Sequence, residues 1–293
     1  MTQAVFAIPG DKDQRTGGFI YEATVLRVLN EIGVPTHHLQ LPDSFPYPSS
    51  DDMATALQAL KAVPSDQPII LDGLVFGAID PVGLSDVTAP IIAMIHHPLG
   101  LETGLAPDRA AYLKANEAAA LEHADHVIVP SPHTAQILTQ AFGADPKRVS
   151  IAPPGFERPN VKKTPSTPPL ILSVGLLAER KGHDILLDAL SDLSELEWQA
   201  VIVGKTHDDA YAQSIYKQSA QLGLSDRVRF AGELDTHSLE TLFGRADIFA
   251  LATRYEGYGM VLSEAMLFGL PIISCAAGAV PETVGDAGIL VPP

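Results

Sequence analysis

At 293 residues the chain is long enough for two domains, and its 46% hydrophobic and 18% charged content is ordinary for a globular protein. The formal net charge of -16 argues against nucleic acid, whose phosphates need a basic face, and against strong electrostatic docking on anionic lipid. The single cysteine, Cys275, excludes an internal disulfide and a cysteine-based zinc site; its place in the apolar run 271–276 suits a small buried hydrophobe.

The N-terminus lacks the basic flank and apolar core of a signal peptide, and no apolar run approaches the roughly 18–20 residues of a membrane span. The expectation is a soluble, cytoplasmic protein. Residues 4–9 form a short apolar strand, 10–18 a polar loop, and 19–32 a helix by its apolar spacing, stopped at Gly33. Strand, glycine loop, helix is the phosphate-cradling layout of a doubly wound sheet. The loop reads Thr16-Gly17-Gly18 rather than G-x-G-x-x-G, and Leu39-Gln40-Leu41 replaces the acidic strand end. A dinucleotide fingerprint is therefore absent, and a dehydrogenase is disfavoured. Asp11-Lys12-Asp13 reads literally as a D-x-D metal pair, although such triplets arise readily by chance in polar loops.

Further strands are expected at 35–41, 68–71, 90–95 and 126–130, and helices at 51–62, 107–122 and 132–142. Alternating strands and helices indicate a parallel sheet covered on both faces, with ligands at the carboxyl ends of the strands. Three features fall at such ends: the loop 10–18, Asp72-Gly73, and His96-His97. A histidine there can donate to a substrate hydroxyl or carbonyl, or serve only in capping and packing. Ser131-Pro132-His133-Thr134 has the pattern of an N-cap with proline at the first helical position.

After Pro153-Pro154-Gly155 the stretch 156–169 is proline-rich, polar and aperiodic, as a linker is. Alternation resumes with strands at 170–174, 199–203, 227–231, 247–252 and 272–274, and helices at 183–193, 210–222, 237–245 and 260–268. The loop Gly175 to His183 carries Arg180-Lys181-Gly182 at a strand's carboxyl end, where a guanidinium fork and an ammonium suit phosphate oxygens. Gly204-Lys205 is a weaker element of the same kind. In Arg254-Tyr255-Glu256-Gly257-Tyr258-Gly259-Met260-Val261-Leu262-Ser263-Glu264, two carboxylates bracket a glycine pair that opens a helix. The glycines permit close backbone approach, and the helix start offers free N–H groups to a phosphate.

Arg180-Lys181-Gly182, Glu256 and Glu264 with seven residues between them, Gly269-Leu270-Pro271 and Gly278-Ala279-Val280-Pro281-Glu282 resemble the second domain of family 4 glycosyltransferases. Thr16-Gly17-Gly18, Ser131-Pro132 and Ala152-Pro153-Pro154-Gly155 match in order and position, so the resemblance spans nearly the whole chain. It implies an α/β GT-B fold: two facing Rossmann-like domains with parallel sheets and an interdomain cleft. The acceptor-side domain would be 1–155, the linker 156–169, and the nucleotide-sugar-binding domain 170–293, ending before the family's usual terminal helices. Leu176 stands where many members carry an arginine.

The resemblance further implies a retaining, metal-independent transfer of a hexose-type sugar from a nucleotide diphosphate sugar to an acceptor hydroxyl, without a cofactor. Catalytic roles fall on His96 (with His97 as fallback), Glu256, Arg180 and Lys181. Donor contacts fall on Gly17, Gly18, Gly257, Tyr258, Gly259, Met260, Val261 and Glu264, with Glu256 facing the sugar and Glu264 the ribose. No metal ligand is expected. The partners implied are the donor and a sugar, glycan or small-molecule acceptor. The alternatives are a nucleotide-sugar epimerase on the same fold and a non-catalytic nucleotide-sugar-binding protein; a phosphorylase would need a pyridoxal phosphate lysine, for which no site is evident.

Overall fold

The computed structural model describes residues 3–293, which divide into two compact units, one running to Gly155 and the other from Phe156 to Pro293. Each contains a six-stranded, all-parallel sheet.

The first unit runs β1 (Ala4–Pro9), α1 (Gly17–Glu31), β2 (Thr36–Leu41), α2 (Ser50–Lys61), β3 (Ile69–Asp72), α3 (Gly73–Phe76), α4 (Pro81–Leu84), β4 (Ile91–Met94), α5 (Pro107–Leu121), β5 (His126–Val129), α6 (Pro132–Ala141) and β6 (Val149–Ile151). Its strand order is β2-β1-β3-β4-β5-β6. All six residues of β1 are buried, which is why this strand reads as an unbroken apolar run. The chain winds away from β1 in both directions, so the order reverses between β1 and β3, and their carboxyl ends flank the crevice where such sheets bind ligands. Val5, Ala7, Ile69, Leu71, Ile91 and Ala93 pack with Phe76 and Leu113 into one core. Each large aliphatic so buried contributes about 1.5–3 kcal/mol.

The second unit runs β7 (Leu170–Val174), α7 (His183–Ser191), β8 (Gln199–Val203), α8 (Asp209–Gln221), β9 (Val228–Gly232), α9 (Thr236–Arg245), β10 (Ile248–Leu251), α10 (Met260–Leu267), β11 (Ile272–Cys275), α11 (Val280–Val284) and β12 (Gly288–Val291). Its order, β12-β11-β10-β7-β8-β9, is that of the Rossmann sheet, with the reversal between β7 and β10. The two units are thus wound alike but ordered differently. Residues 156–169 have no regular structure and lie against the second unit, where Thr164 N donates to Gly244 O at 2.7 Å and Ser166 Oγ to Arg245 O at 3.2 Å.

The strands and helices expected from the sequence lie within two residues of their observed bounds. Five elements were not expected: α3, α4, β6, α11 and β12. Ser131 does cap α6, accepting from Thr134 N at 3.1 Å, and Cys275 is buried with a free thiol. Among the described residues no helix is long and apolar enough to cross a membrane.

Candidate functional site

On the first unit, the loop after β1 and the ends of β3 and β4 converge. α1 begins at Gly17, and a Cβ on Gly18 would stand 3.3 Å from His96 Cδ2, so the glycine lets the helix start lie on the imidazole. His96 follows β4. Its Nε2 lies 3.0 Å from Glu22 Oε1, and Tyr21 meets its ring edge-on at 5.4 Å, with the Tyr21 hydroxyl donating to Ala152 O at 2.7 Å. Among the described residues His96 Nδ1 makes no hydrogen bond, and a quarter of the side chain is exposed.

Behind His96 sits a buried acid pair. Asp72 ends β3 and caps α3, its Oδ1 accepting from Leu74 N and Val75 N at 2.7 and 3.2 Å. Glu22 is 0% exposed and Asp72 2%. Burial pushes the Glu22 carboxyl up to about 7 despite its hydrogen bond with Asp72. Burial, with the neighbouring Glu22 charge, raises Asp72 well above the carboxylate range. Glu22 Oε2 is buried and meets no hydrogen-bond donor among the described residues, and both acids are pushed toward their protonated forms. Burial also lowers His96, which keeps the imidazole neutral. The ligand atoms of Glu22, Asp72 and His96 lie within 4.8 Å of one another, a spacing that a divalent cation or a shared proton can bridge.

The neighbouring elements are more ordinary. His97 Nε2 is 3.6 Å from Glu102 Oε2. Asp11 accepts from Asp13 N at 2.9 Å, and Lys12 pairs with Asp13 at 2.7 Å, so this triplet closes on itself as a polar turn.

On the second unit, the loops after β7 and β10 meet at the reversal of strand order. Lys181 Nζ donates to Glu256 Oε1 at 2.6 Å, Arg180 Nη1 stands 3.7 Å from Glu256 Oε2, and Thr253 Oγ1 is 3.0 Å from Oε1. Glu256 is 5% exposed; burial alone would raise its pKa, but Lys181 and Arg180 outweigh that and hold it below the ordinary carboxylate value. The two loops are stitched through backbone: Arg180 O accepts from Arg254 N at 2.8 Å and from Thr253 Oγ1 at 3.1 Å. Arg254 also forks onto Asp184 at 2.7 and 3.0 Å. Gly182 has φ +64°, and a Cβ there would fall 1.8 Å from Ala252 O, so only glycine permits this approach.

Gly257, Tyr258 and Gly259 bring the chain into α10. Gly259 is its N-cap at φ +87°, and the amides of Met260 and Val261 follow in the first turn, where helical N–H groups lack intrahelical partners. Tyr258 stacks on Phe156, and its carbonyl accepts from Thr283 Oγ1. Glu264 lies on α10, half-buried, with no ion pair among the described residues, and burial raises its carboxyl.

Arg180, Lys181, Glu256, Gly257, Tyr258, Gly259, Met260, Val261 and Glu264 therefore fall in one region of the second unit, and Gly17, Gly18 and His96 in one region of the first. Gly204-Lys205 has a packing role: a Cβ on Gly204 would fall 1.9 Å from Gly175 O, and Lys205 O accepts from Leu177 N at 2.9 Å. Sequence reasoning missed Glu22, Thr253 and Asp184. Only Glu22 left a trace, as an acid on an apolar helix directly after the glycine loop.

A model described as "Glycosyl transferases group 1" matches residues 156–293, and one described as "Glycosyltransferase Family 4" matches residues 82–158. The chain is similar to a mannosylfructose-phosphate synthase of Agrobacterium fabrum, 31% identical over 168 residues, covering 51% of this chain and 37% of that one. It is also similar to D-inositol 3-phosphate glycosyltransferase 2 of Catenulispora acidiphila, 29% identical over 229 residues, covering 68% and 53%. The match thus spans about a third to a half of these curated relatives. Among solved structures, Anabaena Alr3699/HepE in complex with UDP and glucose superposes with a TM-score of 0.77 at 20% identity, and sucrose-phosphate synthase from Thermosynechococcus elongatus with 0.80 at 21%; each covers 100% of this chain and 86% of that one. The second unit is thus matched along its length by the group 1 glycosyl transferase model, part of the first by the family 4 model, and the chain has the GT-B fold of these neighbours.

Proposed function

We propose that this chain carries the core of a retaining, metal-independent glycosyltransferase that moves a hexose-type sugar from a nucleotide diphosphate sugar to an acceptor hydroxyl. The observation that carries the reading is the Arg180–Lys181–Glu256 cluster at the switch point of the second sheet. It sets two cations beside the glycine-led start of α10, which suits a diphosphate leaving group. The second unit takes the donor and the first the acceptor side. Names and titles of relatives point the same way: one neighbour is in complex with UDP-glucose, and the matched enzymes are named a mannosylfructose-phosphate synthase and a D-inositol 3-phosphate glycosyltransferase.

In the step itself, the bond between the anomeric carbon and the diphosphate oxygen breaks, with its electrons going to the diphosphate. Arg180, Lys181 and the amides of α10 stabilise that charge. The acceptor hydroxyl bonds to the anomeric carbon on the face the diphosphate leaves, and its proton passes to a phosphate oxygen. Glu264 accepts from ribose hydroxyls; Glu256 holds Lys181 and faces the sugar; neutral His96 supplies a hydrogen bond on the acceptor side.

The test is a thermal-shift screen with UDP, GDP, ADP and their sugars, followed by product analysis with the stabilising donor in EDTA. A ligand at 100 times its Kd should stabilise by about 2.7 kcal/mol. The expected product keeps the donor's anomeric configuration. No shift with any nucleotide, an inverted product, or strict dependence on added Mg²⁺ would count against the reading; epimerised donor without an acceptor would replace it.

A further inference from the structure

A cavity of about 430 Å³, within the roughly 300–1,000 Å³ typical of small-molecule sites, lies elsewhere on the first unit. Tyr47, Pro48, Met53, Ala78, Arg109 and Tyr112 line it. Its walls come from the loop before α2, the first turns of α2 and α5, and the segment after α3. In an all-parallel sheet, helices begin at the carboxyl edge, so the cavity lies on the edge that carries Gly18 and His96.

Arg109 is its centre. The guanidinium carbon lies 5.2 Å from the Tyr47 ring centroid and 5.0 Å from that of Tyr112. One terminal nitrogen donates to Pro46 O at 3.0 Å, which fixes the side chain. Nε is buried and has no partner among the described residues. No carboxylate among those residues pairs with it either, in a chain of net charge -16. Two acids near the lining residues in the chain are engaged elsewhere: Asp52 accepts from Ser44 and Ser49, and Asp80 caps α4. The result is an arginine held against aromatic faces with donors in its plane to spare. Planar N–H donors of this kind match the two oxygens of a phosphate or carboxylate. Tyr47 and Tyr112 are 62% and 52% exposed, so they offer apolar faces and hydroxyls to a ring that would stack on them.

We propose that this cavity seats an anionic sugar or polyol, with Arg109 gripping its phosphate or carboxylate and Tyr47 and Tyr112 flanking its ring. Resting on the glycosyltransferase reading above, it is the subsite for the charged group of the acceptor. Neutral sugars lose the oxyanion contact, and free inorganic anions lose the ring contacts.

The experiment is a calorimetric titration of the chain, without donor, at matched ionic strength. The probes are glucose, glucose 6-phosphate, myo-inositol 1-phosphate, glucuronic acid and inorganic phosphate. At least one anionic sugar or polyol should bind tenfold or more tightly than both glucose and inorganic phosphate; the phosphate and carboxylate arms identify the group. Arg109→Met should abolish that margin, Arg109→Lys should retain only part of it, and Tyr112→Ala should weaken binding several-fold. The nucleoside diphosphate thermal shift of the parent should persist in all three variants, which confirms folding. The proposal is overturned if glucose or inorganic phosphate binds as well as every anionic sugar tried, or if Arg109→Met keeps the margin. A chain that no nucleotide stabilises would defeat the transferase reading while leaving this binding result to stand alone.

Discussion

Glu22 and Glu256 are both carboxylates taken out of water, at 0% and 5% exposure, and they end in opposite states. Glu22 has an acid and a histidine for neighbours, and burial carries its pKa to about 7. Glu256 feels burial too, but Lys181 and Arg180 hold it ionised. Burial sets the cost of charge in both places; only the neighbouring cations decide whether the charge survives. The first unit thereby keeps a neutral, proton-bearing cluster under His96. The second keeps a charged one that an anionic leaving group can enter.

The strongest way to break this contrast is Lys181→Met. It leaves Glu256 buried with only Arg180 at 3.7 Å, and removing one partner of a buried ion pair costs about 3–5 kcal/mol. Urea unfolding should show that loss, and kcat/KM in an active form should fall by roughly 10²-fold or more. The double variant Lys181→Met/Glu256→Gln should recover much of the stability and none of the activity. Parent-like stability in the single variant would mean the pair is not coupled.

Next in size is a pH response of opposite sign between two buried acids of the first unit and a buried histidine of the second. Glu22 titrates near 7 folded against 4.5 unfolded, and Glu117, buried under Leu99 N, near 8 against 4.5. The folded first unit therefore binds extra protons, and this stability is fully present below pH 4.5 and lost as pH rises through 7 and 8. His183 in the second unit runs the other way: burial lowers it from 6.5 to about 4, so its contribution is present above pH 6.5 and lost as pH falls through 4. Each is worth on the order of 3–5 kcal/mol, since a tenfold change in proton affinity corresponds to about 1.4 kcal/mol. Glu22→Gln and Glu117→Gln should flatten the alkaline limb of the stability profile without touching the acid limb. An unchanged alkaline limb would show that both acids are ionised at neutral pH.

The smallest effect belongs to Gly18→Ala. Its Cβ meets His96 Cδ2 at 3.3 Å, a contact relieved by a few tenths of an ångström of ring movement. Stability should change by less than about 1 kcal/mol, as for most substitutions that strain no backbone. Turnover should fall several-fold if the imidazole must hold its place. Turnover equal to the parent's would remove His96 orientation from the mechanism.

The fold was legible because most of its strands are short apolar runs flanked by glycine or proline, residues that mark where an element begins or ends. The donor side was legible for a related reason: Arg180, Lys181 and Glu256 sit in two loops whose glycines mark them. What stayed hidden depends on distance along the chain. Glu22 lies on a helix where an acid reads as a solvent-facing residue, and only the return of His96, 74 residues later, buries it. Arg109 opens α5 in an unremarkable charged turn, and its meaning comes from Tyr47 and Tyr112 packing round it. The short helices α3 and α4 have four residues each, too few for any period to show.

One consequence of the stitching between the β7 and β10 loops concerns how such a site can change. Arg180 is fixed by its carbonyl oxygen, which accepts from Arg254 N and Thr253 Oγ1 whatever side chain the residue bears. Its guanidinium adds a further tie, Nη1 donating to Tyr255 O at 3.0 Å, so backbone and side chain share the work of joining the loops. Swapping the guanidinium for an ammonium or a neutral amide there alters the field at Glu256 and the bond to Tyr255 O together, while the carbonyl bonds to Arg254 N and Thr253 Oγ1 still join the loops, so charge at this site is changed at the expense of one tie rather than of the whole seam.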